Sequence, residues 1–116
     1  DEPIVPDRAR AYLADPANLM MVAIDGSTVI GQCAACIHRH PDRVTELYID
    51  NLGVAESYRR RGIARALVTR MMAEGRARGC EEAWVGTEFV NDAANRLYEQ
   101  FDGEPAETFN MYVFKL

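Results

Sequence analysis

At Ile63 the apolar pattern of this chain changes period. Ile63, Leu67 and Met71 form one row spaced by four, and Ala64, Val68 and Met72 form the row beside it. Residues four apart share a helix face, so this stretch predicts a helix with one broad buried stripe, ending near Gly75 or Gly79. Upstream, residues 19–24, 28–37 and 45–54 predict strands, rich in Leu, Ile, Val and Met. Asp25-Gly26 between the first two is a favoured hairpin pair. The polar residues 38–43, with Pro41, read as a loop. Downstream, residues 82–87 predict a strand. Asn91 can cap a helix running through Ala94, Leu97, Tyr98 and Phe101, which Gly103 and Pro105 break. Residues 109–116 predict an aromatic-rich closing strand. A short helix over residues 7–14, capped by Asp7, opens the chain. A helix joining two strands of one sheet requires a parallel crossover. The class is therefore α/β with a mixed sheet.

The length of 116 residues allows one domain, spanning 1–116, and suffices to bury a core. Thirteen basic against 18 acidic residues leave a net charge of −5, which argues against a general nucleic-acid binder. No apolar run approaches the roughly 20 residues that span a bilayer, so no membrane partner is expected. Three cysteines, an odd count, suggest no disulfide framework and a reducing, cytoplasmic location. Cys33 and Cys36 form a C-x-x-C, and His38 and His40 follow, so a four-ligand metal site can be written down. The strand reading outweighs it. Residues three apart on a strand point to opposite faces, so the two thiols diverge, and no metal is expected.

The segment that carries chemistry runs from Leu52 through Gly53 and Val54 to Arg59, Arg60, Arg61, Gly62, Ile63 and Ala64. A strand enters a turn, and the turn opens a helix. The first amides of a helix lack internal partners, and its dipole adds positive charge there, so such a terminus binds anions. Gly62 allows close backbone approach, and the three arginines supply phosphate-pairing charge. The residues alone imply an anion or phosphate site, set against the alternative of a solvated arginine loop. Neither the P-loop pattern nor the dinucleotide glycine fingerprint is present.

Arg59-x-x-Gly62-x-Ala64, after a strand ending Leu52-Gly-Val54, resembles the acetyl-CoA signature of the GNAT superfamily of N-acetyltransferases. Asn91-x-x-Ala94-x-x-Leu97-Tyr98-Glu99 resembles the family's second landmark, in the right order downstream. The likeness runs from about Leu19 to the C-terminus. It is most similar to the aminoglycoside 3-N-acetyltransferase branch. It implies a mostly antiparallel mixed sheet with a splayed parallel strand pair and flanking helices. It also implies acetyl-CoA as co-substrate and a small-molecule amine acceptor, such as an aminoglycoside. Acetylation of a protein or peptide amine, or CoA binding without catalysis, are the alternatives. The family is often dimeric, so a homodimer is an expectation, with the closing strand as the pairing edge.

Carried over by position, amides from Arg59 to Ala64 would cradle the CoA pyrophosphate. Leu52 and Val54 would pair with the pantetheine arm, and the amide near Val54 would polarise the thioester carbonyl. Gly53 would sit at the bulge that splays the strand. Asn91 would contact pantetheine, and Tyr98 would protonate the departing thiolate. Glu46 or Asp50, which alternation puts on one face, would accept the amine proton through water, with Glu88 and Asp92 as rivals. Two departures stand out. The family's Gly-Phe after the tyrosine helix is replaced here by Phe101-Asp-Gly-Glu104. The family's leading strand and long helix, which help form the acceptor side, have no counterpart before Asp7.

Overall fold

The computed structural model describes residues 2–116, in two compact units that divide at Gly86. The first unit holds helix α1 (Pro6–Ala14), strands β1 (Asn18–Asp25), β2 (Thr28–His38) and β3 (Glu46–Val54), a 3-10 turn (Glu56–Tyr58), helix α2 (Ile63–Ala77) and strand β4 (Glu82–Val85). The second holds helix α3 (Asp92–Glu99). Among the described residues no strand precedes α1, and no helix is long and apolar enough to cross a membrane.

The four strands form one sheet in the order β1-β2-β3-β4. β1, β2 and β3 pair antiparallel, and β3 pairs parallel with β4. The sheet is therefore mixed and mostly antiparallel. The expected helix–strand boundaries hold to within a few residues. At the front, however, Asp7 is not the cap of α1. Pro6 occupies the first turn, where its missing N–H costs nothing, and Val5 stands before it in extended conformation. Asp7 sits inside the first turn and pairs with Arg10.

Helix α2 covers one face of the sheet, and the fit is decided by glycines. A Cβ on Gly31 would lie 3.3 Å from Leu67 and 3.5 Å from Ile63. A Cβ on Gly75 would lie 2.8 Å from Leu47 Cδ2. Gly75 is therefore a packing residue within α2. The helix ends later, where Gly79 takes the left-handed conformation (φ 92°) after the Arg78 cap. Partners in an antiparallel ladder share a face, so Gly31, Cys33, Ala35 and Ile37 lie under α2 together with Leu47, Ile49 and Leu52. Val68 and Met71, both fully buried, press on this layer from α2. The opposite face carries Cys36, His38, Glu46, Tyr48 and Asn51, and there Tyr48 stacks on Trp84 with ring centroids 4.1 Å apart.

The second unit departs from expectation at its end. Residues 109–116 form no strand. An extended segment becomes a strand only when its backbone groups find a ladder partner, and this unit contains one helix and no other strand. Phe109, Tyr112, Val113 and Phe114 are all exposed.

Gly75→Val should lower stability by about 1–3 kcal/mol, because the added carbons meet the buried Leu47 methyls. A urea melt should show a lower midpoint at an unchanged slope.

Candidate functional site

The parallel ladder of β3 and β4 is short. It runs from Glu46 opposite Glu82 to Ile49 opposite Val85, and there β4 ends. Among the described residues, β3 from Asn51 to Val54 is paired with β2 only, and its other edge has no strand partner. A register shift coincides with the end of the pairing. Ala35 faces Ile49 and Ala34 faces Asn51, which leaves Asp50 as the extra residue of a bulge. The bulge therefore sits at Asp50 and not at Gly53, where it was expected. A Cβ on Gly53 would meet only Gln32, at 3.6 Å, so that glycine is not there for space. The same bulge interrupts the alternation that linked Glu46 with Asp50.

Val54 leads through the 3-10 turn to the arginines, and the three have different surroundings. Arg59 donates from Nε to the Val54 carbonyl at 3.2 Å. Arg61 lies over the Tyr58 ring, 5.1 Å from its centre. Arg60 is exposed and holds a left-handed backbone (φ 64°), and Gly62 repeats that conformation (φ 77°). Left-handed residues in such a turn aim successive N–H groups into a concavity. Gly62 is also the N-cap of α2, and no side chain caps that end. The first amides of α2, from Ile63 onward, thus face outward without a capping acceptor. No atom lies within 4 Å of a Cβ placed on Gly62, so its positive φ is what selects glycine there.

Tyr58 was not singled out by its sequence, yet it fixes this turn. Its hydroxyl donates to Asp25 Oδ2 at 2.5 Å, across 33 positions, while its ring carries Arg61. Asp25 is the acid of the β1–β2 hairpin turn. An aromatic in a polar turn is a weak signal, and nothing local in sequence names its partner. The hydrogen bond to Asp25 and the carboxylate's charge both push the Tyr58 hydroxyl above its ordinary pKa.

Of the acid–base candidates, Glu46 is largely buried at the start of β3. His40 Nε2 lies 3.1 Å and Arg43 Nε 3.9 Å from its Oε1. Asp50 is exposed, at the point where the splay begins. Its charge also raises the pKa values of Cys33, Cys36 and Tyr12, after burial as the leading cause. In the second unit, Asn91 caps α3 by accepting from the Ala94 amide at 3.1 Å. Asn95, also unforeseen, ties the preceding loop by donating to the carbonyls of Glu88, Phe89 and Asn91. Tyr98 is half-buried on α3, and Glu88 and Asp92 are exposed just before and at its start.

The model of the acetyltransferase (GNAT) family matches residues 1–103. This chain belongs to the GNAT acetyltransferase family. An acetyltransferase of Yersinia pestis (strain Pestoides F) is 33% identical over 102 residues, covering 88% of this chain and 68% of that protein. An aminoglycoside acetyltransferase from an uncultured soil metagenomic sample, solved with sisomicin, superimposes with a TM-score of 0.91 at 19% identity. That alignment covers all of this chain and 77% of the other. The aminoglycoside N-acetyltransferase AAC(6')-Iy, solved with CoA, gives a TM-score of 0.84 at 20% identity, over 96% of this chain and 86% of that one. At these identities the two structures show a common fold. As a member of this family the chain is an acyltransferase.

The C-x-x-C does not form a joint site. Cys33 lies under α2 and Cys36 on the opposite face, and all three cysteines are free thiols. Burial, with help from Asp50, pushes the Cys33 thiol up to about 11. The unfolded thiol ionises near 9.0, so this contribution to stability is complete below that pH and is lost as pH rises towards about 11. Urea midpoints measured from pH 8 upward should fall more steeply for the native chain than for Cys33→Ala. Tyr58 gives a second readout, isolated from the other four tyrosines by difference against Tyr58→Phe. Its absorbance titration should move back towards 10.0 in Asp25→Asn, because the carboxylate that opposes ionisation is gone.

Proposed function

We propose that the protein transfers an acetyl group from acetyl-CoA to a primary amine of a small cationic acceptor of the aminoglycoside type. The observation that carries this reading is the unpaired β3 edge, residues 50–54, running straight into the arginine turn and the uncapped N-terminus of α2. An edge of free backbone groups suits an extended, amide-bearing chain such as pantetheine, and the helix terminus suits its pyrophosphate. The CoA carried by the AAC(6')-Iy structure, on the same fold, supports the donor assignment. The reading takes residues 1–116 as one catalytic domain.

The roles are those the family resemblance implies, adjusted to what each residue already binds. Amides from Arg59 through Arg60, Arg61, Gly62 and Ile63 to Ala64 hold the pyrophosphate, with the exposed Arg60 adding charge. Leu52 and Gly53 offer backbone groups to pantetheine. At Val54 the carbonyl is already held by Arg59, so an arriving pantetheine displaces that guanidinium and frees it for phosphate. The Val54 amide polarises the thioester carbonyl. Asn91 spends its carbonyl oxygen on the α3 cap, so its amide nitrogen is what it offers to pantetheine. In the transfer itself, the amine nitrogen bonds to the acetyl carbon as the carbon–sulfur bond breaks. The amine's proton passes through water to Asp50, and Tyr98 supplies a proton to the thiolate. Asp50 takes the base role over Glu46, which is occupied by His40 and Arg43. The chain's net charge of −5 favours a cationic acceptor.

Free-thiol release from acetyl-CoA, measured across a panel of amines, tests the reading. Aminoglycosides should raise release well above background, and NMR of the product should tell 3-N from 6′-N acetylation. Tyr98→Phe should lower kcat by about 10²–10⁴ while CoA still binds. Asp50→Asn should lower kcat while CoA still binds. Tight CoA binding without thiol release from any amine would leave a non-catalytic CoA-binding module. Arg60→Ala and Gly62→Glu should each weaken CoA binding about tenfold or more, the scale of a lost charged hydrogen bond. Unchanged affinity in both would remove the pyrophosphate site.

A further inference from the structure

The other end of β3 carries a cluster that the transfer chemistry leaves unused. His38 closes β2 and Glu46 opens β3, and the two are ladder partners in the last pair of that hairpin. His40 lies in the connecting loop. One ligand atom from each of the three residues lies within 4.8 Å of the others. The two imidazole rings sit 4.2 Å apart, centre to centre. His40 is nine-tenths buried, with its side chain 9% exposed, yet its Nε2 makes no hydrogen bond. That atom comes within 3.1 Å of Glu46 Oε1 without the geometry of a donated bond. A buried nitrogen in this condition is costly unless something else satisfies it.

We propose that His38, His40 and Glu46 form a binding site for a divalent transition-metal ion with zinc-like ligand preference. Two imidazoles and one carboxylate are a donor set such ions favour, and three protein ligands leave a fourth position for water. An ion about 2.0–2.2 Å from each donor needs donors roughly 3–3.5 Å apart. His40 Nε2 and Glu46 Oε1 already meet that spacing at 3.1 Å. His38, exposed at the strand end, closes the remainder by a small side-chain rotation. Arg43, whose Nε is 3.9 Å from the same carboxylate oxygen, is 64% exposed and free to swing away as the ion takes over its charge. The bound ion staples the mouth of the β2–β3 hairpin. Of the C-x-x-C thiols, Cys33 lies on the other face of the sheet, and Cys36, on the same face, is not one of the clustered groups.

The site is tested on the intact chain without an affinity tag, using Zn²⁺ and Co²⁺ alone as probes. No acetyl-CoA or amine is present, so the outcome is independent of the proposed transfer reaction. One equivalent of Co²⁺ should produce d–d absorption that Zn²⁺ abolishes, and Zn²⁺ should raise the thermal midpoint. His40→Gln and Glu46→Gln should each weaken Zn²⁺ binding at least tenfold, while Cys36→Ser should leave it unchanged. Circular dichroism and metal-free urea melts establish that each variant is folded, and His38→Gln provides a further variant at an exposed position. Absence of Co²⁺ absorption would overturn the site. So would unchanged affinity in folded His40→Gln and Glu46→Gln, or sulfur-to-metal charge transfer that Cys36→Ser removes.

Discussion

Beyond Ile49 the backbone of β3 has, among the described residues, a neighbouring strand on one side only. Sheet interiors satisfy every N–H and C=O through the ladder, so a half-paired stretch is a standing demand for a partner. Here β4 stops at Val85, and the bulge at Asp50 turns the strand at the same place. The result is an edge that begins beside an exposed carboxylate and ends at a helix terminus that no side chain caps. The chemistry proposed for this chain depends on that interruption. Had β4 continued along β3, the edge would be sealed and the arginine turn would adjoin an ordinary sheet.

Holding such an edge open requires a stiff neighbourhood. Helix α2 supplies it by lying close on β2 and β3, with Gly31 and Gly75 removing the side chains that would hold it off. The turn that starts α2 is fixed from the far side by Tyr58, through its hydrogen bond to the hairpin acid Asp25 and its contact with Arg61. Arg60 and Gly62 accept left-handed conformations, which cost little for glycine and more for arginine. That strain is the kind expected where a backbone is shaped for a ligand. The histidine–glutamate cluster lies at the opposite end of β3, so one strand bears two chemically distinct ends.

Much of this was legible in the chain itself. The change of period at Ile63 located α2, and Asp25-Gly26 located the β1–β2 turn. Residues 91–99 announced both the cap and the helix of α3. The arginine–glycine turn offered an anion site, against a solvated loop, before any family likeness was considered. The illegible parts have one cause in common. The bulge at Asp50 depends on how β2 and β3 slide into register, and no residue near position 50 encodes the slip. The Tyr58–Asp25 bond joins positions 33 apart. Glu46, which alternation offered as a base, is met instead by His40 and Arg43 from the loop before it. The strand expected at residues 109–116 had the right composition, but composition supplies no ladder partner.

By itself, then, the sequence determined the types and order of the elements as far as α3 and the buried stripe of α2, and it offered the turn before α2 as a candidate anion site. These follow from periodicity, turn chemistry and the geometry of a helix end, all of which act over a few neighbouring residues. Tertiary structure alone decided where the sheet parts, what Arg59 and Arg61 contact, which carboxylate is occupied and which is open, and that His38, His40 and Glu46 meet. Those outcomes turn on register and on contacts between residues distant in the chain. Their energies arise only once the strands have paired.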